Sequence, residues 1–163
     1  MAEEEVAKSE PECCGVVDNG VIPYILSPNC EKHLEWLEAV FDAKDKTVYR
    51  ENGSEDGKIL HARLRINGGS VYFSDGSCLP EQDAVSAMHS GESPKGTVLH
   101  LNVENPQRLW EKAMEHGAKP VVELKMQFWK SVYGSFYDPY GFEWALCSIC
   151  QEHQQEGKQE DKQ

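Results

Sequence analysis

Residues 128–144 read FWKSVYGSFYDPYGFEW, and this stretch decides the fold. At its centre, Asp138-Pro139-Tyr140-Gly141 has the composition of a tight turn, because proline presets φ at the second turn position and glycine permits the backbone that follows. Runs rich in aromatic and β-branched residues flank the turn, from Val132 to Tyr137 and from Phe142 to Ile149. Two such runs joined by a turn predict a β-hairpin.

Working outward from the hairpin, the sequence predicts one order of elements twice. The first copy has a strand, a helix and three strands, predicted at residues 21–27, 31–41, 47–51, 59–66 and 71–74. The second copy repeats that order at residues 97–103, 106–116, 120–124, 132–137 and 142–149. Both helices have an asparagine cap in front and an apolar stripe at three- and four-residue spacing. This duplication predicts one α+β domain, residues 20–150, built from two βαβββ modules, 20–78 and 96–150, joined by a loop at 75–95.

The two ends of the chain differ in composition from this body. Residues 1–19 are acidic and small, and residues 151–163 are mostly Gln, Glu and Lys. Neither segment has enough apolar residues to offset the entropy of ordering, so both are predicted to be disordered tails.

The string FW-x3-YG-x3-DP-Y-G-x2-W resembles the C-terminal signature of the vicinal oxygen chelate superfamily, the glyoxalase, bleomycin-resistance and ring-cleaving dioxygenase group. It is most similar to the PhnB-like branch, although Lys130 stands where that branch usually has glycine. The resemblance implies curled mixed sheets with helices on their convex sides and a central cleft between the concave sides. It also implies that a homodimer is common. Relatives bear a methyltransferase label, but this sequence has no glycine-rich cofactor loop after a strand.

Charge and composition exclude several classes of partner. The formal net charge of −12 disfavours nucleic acid and anionic membrane surfaces, both of which require a basic face. No apolar run has the length of a membrane-spanning helix, and the acidic start, Met1-Ala2-Glu3-Glu4-Glu5, differs from a secretory signal. We therefore expect a soluble cytoplasmic protein.

The cysteines leave two interpretations open. Cys13-Cys14 and Cys147-x-x-Cys150 lie near opposite ends of the chain and could form a four-thiolate zinc site if those ends meet. The alternative is reduced thiols with no special role, as is usual in the cytosol.

Strand alternation predicts which side chains face the cleft, because the face against a helix must be apolar. Leu99, Leu101 and Val103 form a packing set, so His100 is expected on the cleft side. In the third strand, the expected packing residues are Leu60, Ala62, Leu64 and Ile66. The other residues expected on the cleft side are Ile22, Tyr24, Leu26, His61, Arg63, Arg65, Tyr72, Ser74, Val98, Asn102, Glu143, Ala145 and Cys147.

The resemblance also implies where metal ligands would lie. Metal-dependent relatives carry His, Glu or Gln at positions that correspond here to Ile22, Tyr72, Val98 and Ala145. Three of these have no donor atom, and a phenol is a poor ligand for a divalent ion. We therefore expect no metal cofactor; the alternative is one divalent metal ion.

His100 and Glu143 each lie two residues from such a position, and a shift of two keeps a side chain on the same face. They are candidate catalytic residues, with Glu143 orienting His100 as a general base or anion contact. The alternative is a hydrogen-bonded core histidine and a glutamate at the solvent rim.

A second candidate group would bind a ligand directly. His61, Arg63 and Arg65 form a cationic stripe that could select a small carboxylate or phosphonate. Alternatively, acidic neighbours neutralise the arginines. Aromatic walls could come from Tyr24, Tyr72 and Trp129, although Trp129 could instead pack on the adjacent hairpin.

These observations leave three functions open. The first, which we favour, is a metal-free protein that binds a small anionic molecule. The second is a divalent-metal-dependent lyase, isomerase or dioxygenase of glyoxalase type that uses His100 and Glu143. The third is an interaction module in which the cleft is vestigial.

Overall fold

A computed structural model of the chain describes residues 18–76 and 97–149. The first module contains β1 (Tyr24–Ser27), α1 (Cys30–Phe41), β2 (Lys44–Arg50), a short 3-10 turn (Glu51–Gly53), β3 (Ile59–Ile66) and β4 (Gly69–Asp75). The second module contains β5 (Leu99–Val103), α2 (Pro106–Glu115), β6 (Lys119–Met126), β7 (Val132–Tyr137) and β8 (Glu143–Ser148). The predicted α+β class and its two tandem βαβββ modules are confirmed.

Each module forms a four-stranded mixed sheet. The strand orders are β1-β4-β3-β2 in the first sheet and β5-β8-β7-β6 in the second. In each sheet the first strand of the module runs parallel to the last, and the remaining pairs are antiparallel. The parallel pairing sets Tyr24 beside Tyr72 in one sheet and His100 beside Ala145 in the other.

The helix ends follow the sequence signals. The side chain of Asn29 accepts a hydrogen bond from Lys32 N at 3.1 Å, and Asn105 accepts one from Arg108 N at 3.0 Å. After α2, Gly117 adopts a φ of 84°, in the left-handed region that favours glycine.

One hydrophobic core joins the two modules. The ring of Phe41, in α1, lies 4.9 Å from that of Trp144, in β8. Trp36 Nε1 donates a 2.8 Å hydrogen bond to the carbonyl of His116, just after α2. The helix-bearing faces of both sheets contribute to this core, so their helix-free faces point away from it.

Strand alternation is confirmed in β3 with one exception, whereas the strand predicted from residue 21 begins only at Tyr24 and Val21, expected to pack, is fully exposed. Ala62, Leu64 and Ile66 are buried, but Leu60 is 47% exposed and Ile59 is buried in its place. The prediction for Leu60 was wrong because β2 and β3 shift register between Tyr49 and Arg50. Such an irregularity moves one residue to the other face.

The first glycine of the motif, Gly134, is required by close packing. A Cβ added there would lie 2.7 Å from Leu124 Cα, in the irregular part of β6, and 3.0 Å from Trp110. Backbone cannot move aside as a flexible side chain can, so only glycine fits.

Several predictions concern other parts of the chain. Cys13, Cys14, Cys150, most of the loop 75–95, and nearly all of the tails 1–19 and 151–163 lie outside the described residues. Within 18–76 and 97–149, no helix has the length and apolar character needed to cross a membrane.

Candidate functional site

The hairpin turn is organised by the carboxylate of Asp138, which is buried. Its Oδ1 accepts hydrogen bonds from the backbone N–H groups of Tyr140 and Phe142, each at 2.9 Å. Its Oδ2 accepts from Trp144 Nε1 at 2.9 Å and lies 3.0 Å from His33 Nε2. The motif residues Asp138, Gly141 and Trp144 therefore form one local structure.

Ser27, His33 and Asp138 form a hydrogen-bonded series with the ring nitrogens reversed relative to a hydrolase triad. Ser27 Oγ lies 3.2 Å from His33 Nδ1, and Asp138 is on the Nε2 side. All three side chains are buried, and the imidazole stacks on Tyr140 with ring centroids 4.4 Å apart. A substrate could not reach this buried serine. The role of the arrangement is structural, because it links α1 to the second module. This pairing was not predicted from the sequence, although His33 lies at helical spacing from Leu37 in the buried stripe.

The helix-free face of the first sheet carries an aromatic cluster, formed by Tyr24, Tyr49, His61 and Tyr72. The His61 ring lies 4.9 Å from Tyr72, 5.8 Å from Tyr24 and 6.1 Å from Tyr49. Tyr24 Oη is 3.3 Å from His61 Nδ1. Burial lowers the pKa of His61 below its usual value, so its imidazole is neutral at pH 7. The structure thus brings three predicted ligand-binding residues together, Tyr24, His61 and Tyr72.

Beside this cluster, Arg63 and two hydroxyls hold a carboxylate of the chain itself. Asp18 Oδ2 accepts from Arg63 Nε at 2.6 Å, and Oδ1 accepts from Arg63 Nη2 at 3.1 Å. Ser70 Oγ donates to Oδ1 at 2.7 Å, and Tyr72 Oη donates to Oδ2 at 3.1 Å. The side chains of Arg63 and Asp18 are only 9% and 12% exposed. We call Arg63, Ser70 and Tyr72 the carboxylate site; Asp18 belongs to the segment predicted as a tail.

These contacts favour the charged form of Asp18. The hydrogen bonds from Arg63 and Ser70 lower the pKa of its carboxyl to about 2. Asp45, on β2, is a further charge that acts on Arg63. Because the pKa of Asp18 is lower in the folded chain than in the unfolded chain, its stabilising effect is complete above about pH 4 and is lost as the pH falls toward 2.

We therefore expect the contact between Asp18 and Arg63 to persist at pH 5–8 and to break only as the pH falls toward about 2, where the carboxyl of the folded chain becomes protonated. The amide resonances of Asn19 and Gly20, followed by NMR, would report the change. Asp18→Asn is the control, because the transition should be missing from that variant. A transition near pH 6 in the wild-type chain would contradict this assignment.

On the second sheet, the predicted catalytic residues share the helix-free face but do not hydrogen-bond to each other. His100 Nε2 lies 3.2 Å from Asn102 Oδ1, and its ring stacks on Tyr133 with centroids 6.0 Å apart. Glu143 Oε1 instead accepts from Ser135 Oγ at 2.8 Å. The structure describes both residues, and no ion pair or hydrogen bond joins His100 to Glu143.

Trp129 lies against its own hairpin. Its ring is 4.6 Å from Phe128 and 5.9 Å from Tyr133. This arrangement matches the alternative that Trp129 packs beside the hairpin.

A cleft of about 650 Å³ lies between the modules, with Asp18, Ser70 and Arg65 on one wall and His100 on the other. Arg63 does not line the cleft; it lies behind the carboxylate of Asp18. A second cavity, of about 280 Å³, has Tyr24 and Glu143 in its wall. Both volumes are near or within the range of small-ligand sites.

The donors needed for a family-type metal site are missing from the positions that the resemblance implied. Ile22, Val98 and Ala145 carry only carbon, and Tyr72 Oη donates to Asp18. Elsewhere in 18–76 and 97–149, no three His, Cys, Asp or Glu side chains come close enough to hold an ion. The residues present do not fit such a metal.

Comparison with known proteins places this geometry in a family. A family model described as Glyoxalase/Bleomycin resistance protein/Dioxygenase superfamily matches residues 21–146. The uncharacterized protein Rv0887c of Mycobacterium tuberculosis strain H37Rv is 31% identical over 132 residues, 80% of this chain and 74% of that protein.

Solved structures show the same fold. Protein PA1353 from Pseudomonas aeruginosa has a TM-score of 0.60 at 23% identity, over 80% of this chain and 98% of that one. A PhnB protein from Bacillus cereus, titled a putative 3-demethylubiquinone-9 3-methyltransferase, has a TM-score of 0.55 at 16% identity, over 80% and 100%. The family resemblance seen in the hairpin sequence is confirmed, and a PhnB protein is among the relatives in fold.

Proposed function

This chain belongs to the Glyoxalase/Bleomycin resistance protein/Dioxygenase superfamily, and from that premise we propose that it binds a small organic anion in the cleft between its modules, without a resident metal. One fold in this superfamily serves many activities, so the proposal must come from the residues of the site.

The observation that carries the proposal is the carboxylate site itself. Arg63, Ser70 and Tyr72 direct four donated hydrogen bonds to one carboxylate, that of Asp18. A guanidinium matches the two oxygens of a carboxylate in geometry as well as charge. The carboxylate of Asp18 therefore stands in for the acid group of a ligand.

The surroundings favour an organic acid over a simple ion. The aromatic cluster adjoins the carboxylate site through Tyr72. Its rings lie outside the lining of the 650 Å³ cleft, and one of them, Tyr24, lines the 280 Å³ cavity. Since His61 is neutral at pH 7, Arg63 and Arg65 supply the positive charge on this face. An aromatic or unsaturated carboxylate would use both features.

The proposal is binding rather than catalysis for two reasons. The catalytic alternative requires Glu143 to orient His100, but each side chain bonds to a different neighbour. The metal-dependent alternative requires donors at positions occupied by Ile22, Val98 and Ala145. Without those donors, residues 18–76 and 97–149 offer no ligand set for the Lewis acid of such an enzyme.

We expect benzoate to bind, and benzamide, its uncharged analogue, to bind at least tenfold more weakly. Arg63→Lys keeps the charge but loses the two-pronged geometry. In an Asp18→Asn background, where no internal carboxylate is weakened by the same change, benzoate affinity should therefore fall about 10-fold or more. NMR titration is the measurement, because it detects millimolar binding. Arg108→Lys is the matched control, since that exposed guanidinium pairs with Asp42 away from the cleft.

Two outcomes would contradict the proposal. One is equal binding of benzoate and benzamide, or no binding of benzoate and methylphosphonate by either the wild type or Asp18→Asn. The other is metal analysis that finds one nickel, zinc, iron or manganese ion per chain, lost on His100→Ala.

A further inference from the structure

The carboxylate site contains a group of the same class as the proposed ligand, supplied by the chain itself. Asp18 precedes β1 by six positions and takes up four donated hydrogen bonds. We infer that residues 18–21 form a tethered arm whose carboxylate competes with external anions for the carboxylate site. This inference rests on the proposed function and names how the site is regulated.

The arm is fixed at one point. Asn19 and Gly20 are exposed, and Val21 is fully exposed, so no apolar side chain of residues 18–21 is buried. Gly20, with a φ of 90°, provides a turn that few other residues would adopt. Among the described residues, releasing the arm therefore disrupts the contacts of one side chain and leaves the hydrophobic core intact.

The arm also controls access to Arg63. Asp18 lines the cleft between the modules, whereas Arg63 lies behind it. Release of Asp18 would open the guanidinium, Ser70 and Tyr72 to a ligand in the cleft, and the wall carrying His100 would face that ligand. The two carboxylates cannot occupy the site together, because both need the same donors.

A change of pH near neutrality does not release the arm. The pKa of Asp18 is about 2, and the groups that face it are Arg63 on β3 and Ser70 and Tyr72 on β4. The arm therefore remains charged at neutral pH, and a competing anion must displace it. A tethered group acts at an effective concentration in the millimolar range, so an external anion is weakened by that competition.

The test compares Asp18→Asn with Asp56→Asn, an exposed turn residue, in the full chain. Both variants remove one negative charge, but only the first removes the competitor. Benzoate should bind Asp18→Asn at least tenfold more tightly than the wild type and should bind Asp56→Asn within twofold of it. Saturating benzoate should also move the wild-type amide resonances of Asn19 and Gly20 to their positions in Asp18→Asn.

The outcomes separate the two proposals. Equal benzoate affinity in the wild type and Asp18→Asn would overturn the competing arm and leave anion binding standing. Arm resonances that stay unchanged at saturation would do the same, because the arm would then remain docked beside the ligand. If benzoate and methylphosphonate bind neither chain, the proposed function fails, and the inference fails with it.

Discussion

Replacing Asp138 by alanine should lower the free energy of unfolding by about 4 kcal/mol. The carboxylate is buried and receives hydrogen bonds from the backbone of Tyr140 and Phe142 and from the indole of Trp144. His33 Nε2 is its fourth partner, with the proton on that nitrogen, as a carboxylate partner requires. Alanine would leave several donors buried without an acceptor.

The loss should reach both modules, because His33 belongs to α1 and Asp138 to the β7–β8 turn. Urea unfolding followed by tryptophan fluorescence would measure it, with Asp56→Ala, at an exposed turn position, as the control. That control should stay within about 0.5 kcal/mol of the wild type. A loss below about 1 kcal/mol for Asp138→Ala would mean that Pro139 and Gly141 hold the turn without the carboxylate.

The fold could be predicted from the sequence because its signals are local. The asparagine caps, the apolar stripe of α1 and the alternation in β5 each depend on residues within a few positions of one another. The DPYG turn is local in the same way. The exposure of Leu60 could not be predicted in this way, because an irregularity in strand pairing depends on the partner strand. One shifted residue reverses the face on which its neighbour lies.

The site was predicted only in part, because a shared face does not establish contact. Alternation correctly assigned His100 and Glu143 to one face, but it could not give the distance between them or identify Ser135 as the partner of Glu143. The pairing of His33 with Asp138 spans 105 positions and has no local signal. Asp18 was assigned to a tail on hydrophobicity alone, a criterion that cannot detect a segment held by one charged side chain.

Phe136→Ala should lower the free energy of unfolding by about 4 kcal/mol, through a cavity in the core that the modules share. Phe136 is completely buried in β7. Its ring contacts Trp110 of its own module at 5.7 Å and, from the first module, Trp36 at 6.4 Å and Phe41 at 6.5 Å. The cavity would therefore weaken the packing of α1 as well as that of the second sheet.

Because these contacts cross between modules, the two modules should unfold as one unit. Native-state hydrogen exchange of Phe136→Ala should show equal loss of protection in β3 and in β7. Val121→Ala is the control, since that side chain lies half exposed on β6 and should change little. Loss of protection confined to β5–β8 would mean that the second module opens alone. The cleft between the modules would then be formed by two separately stable halves.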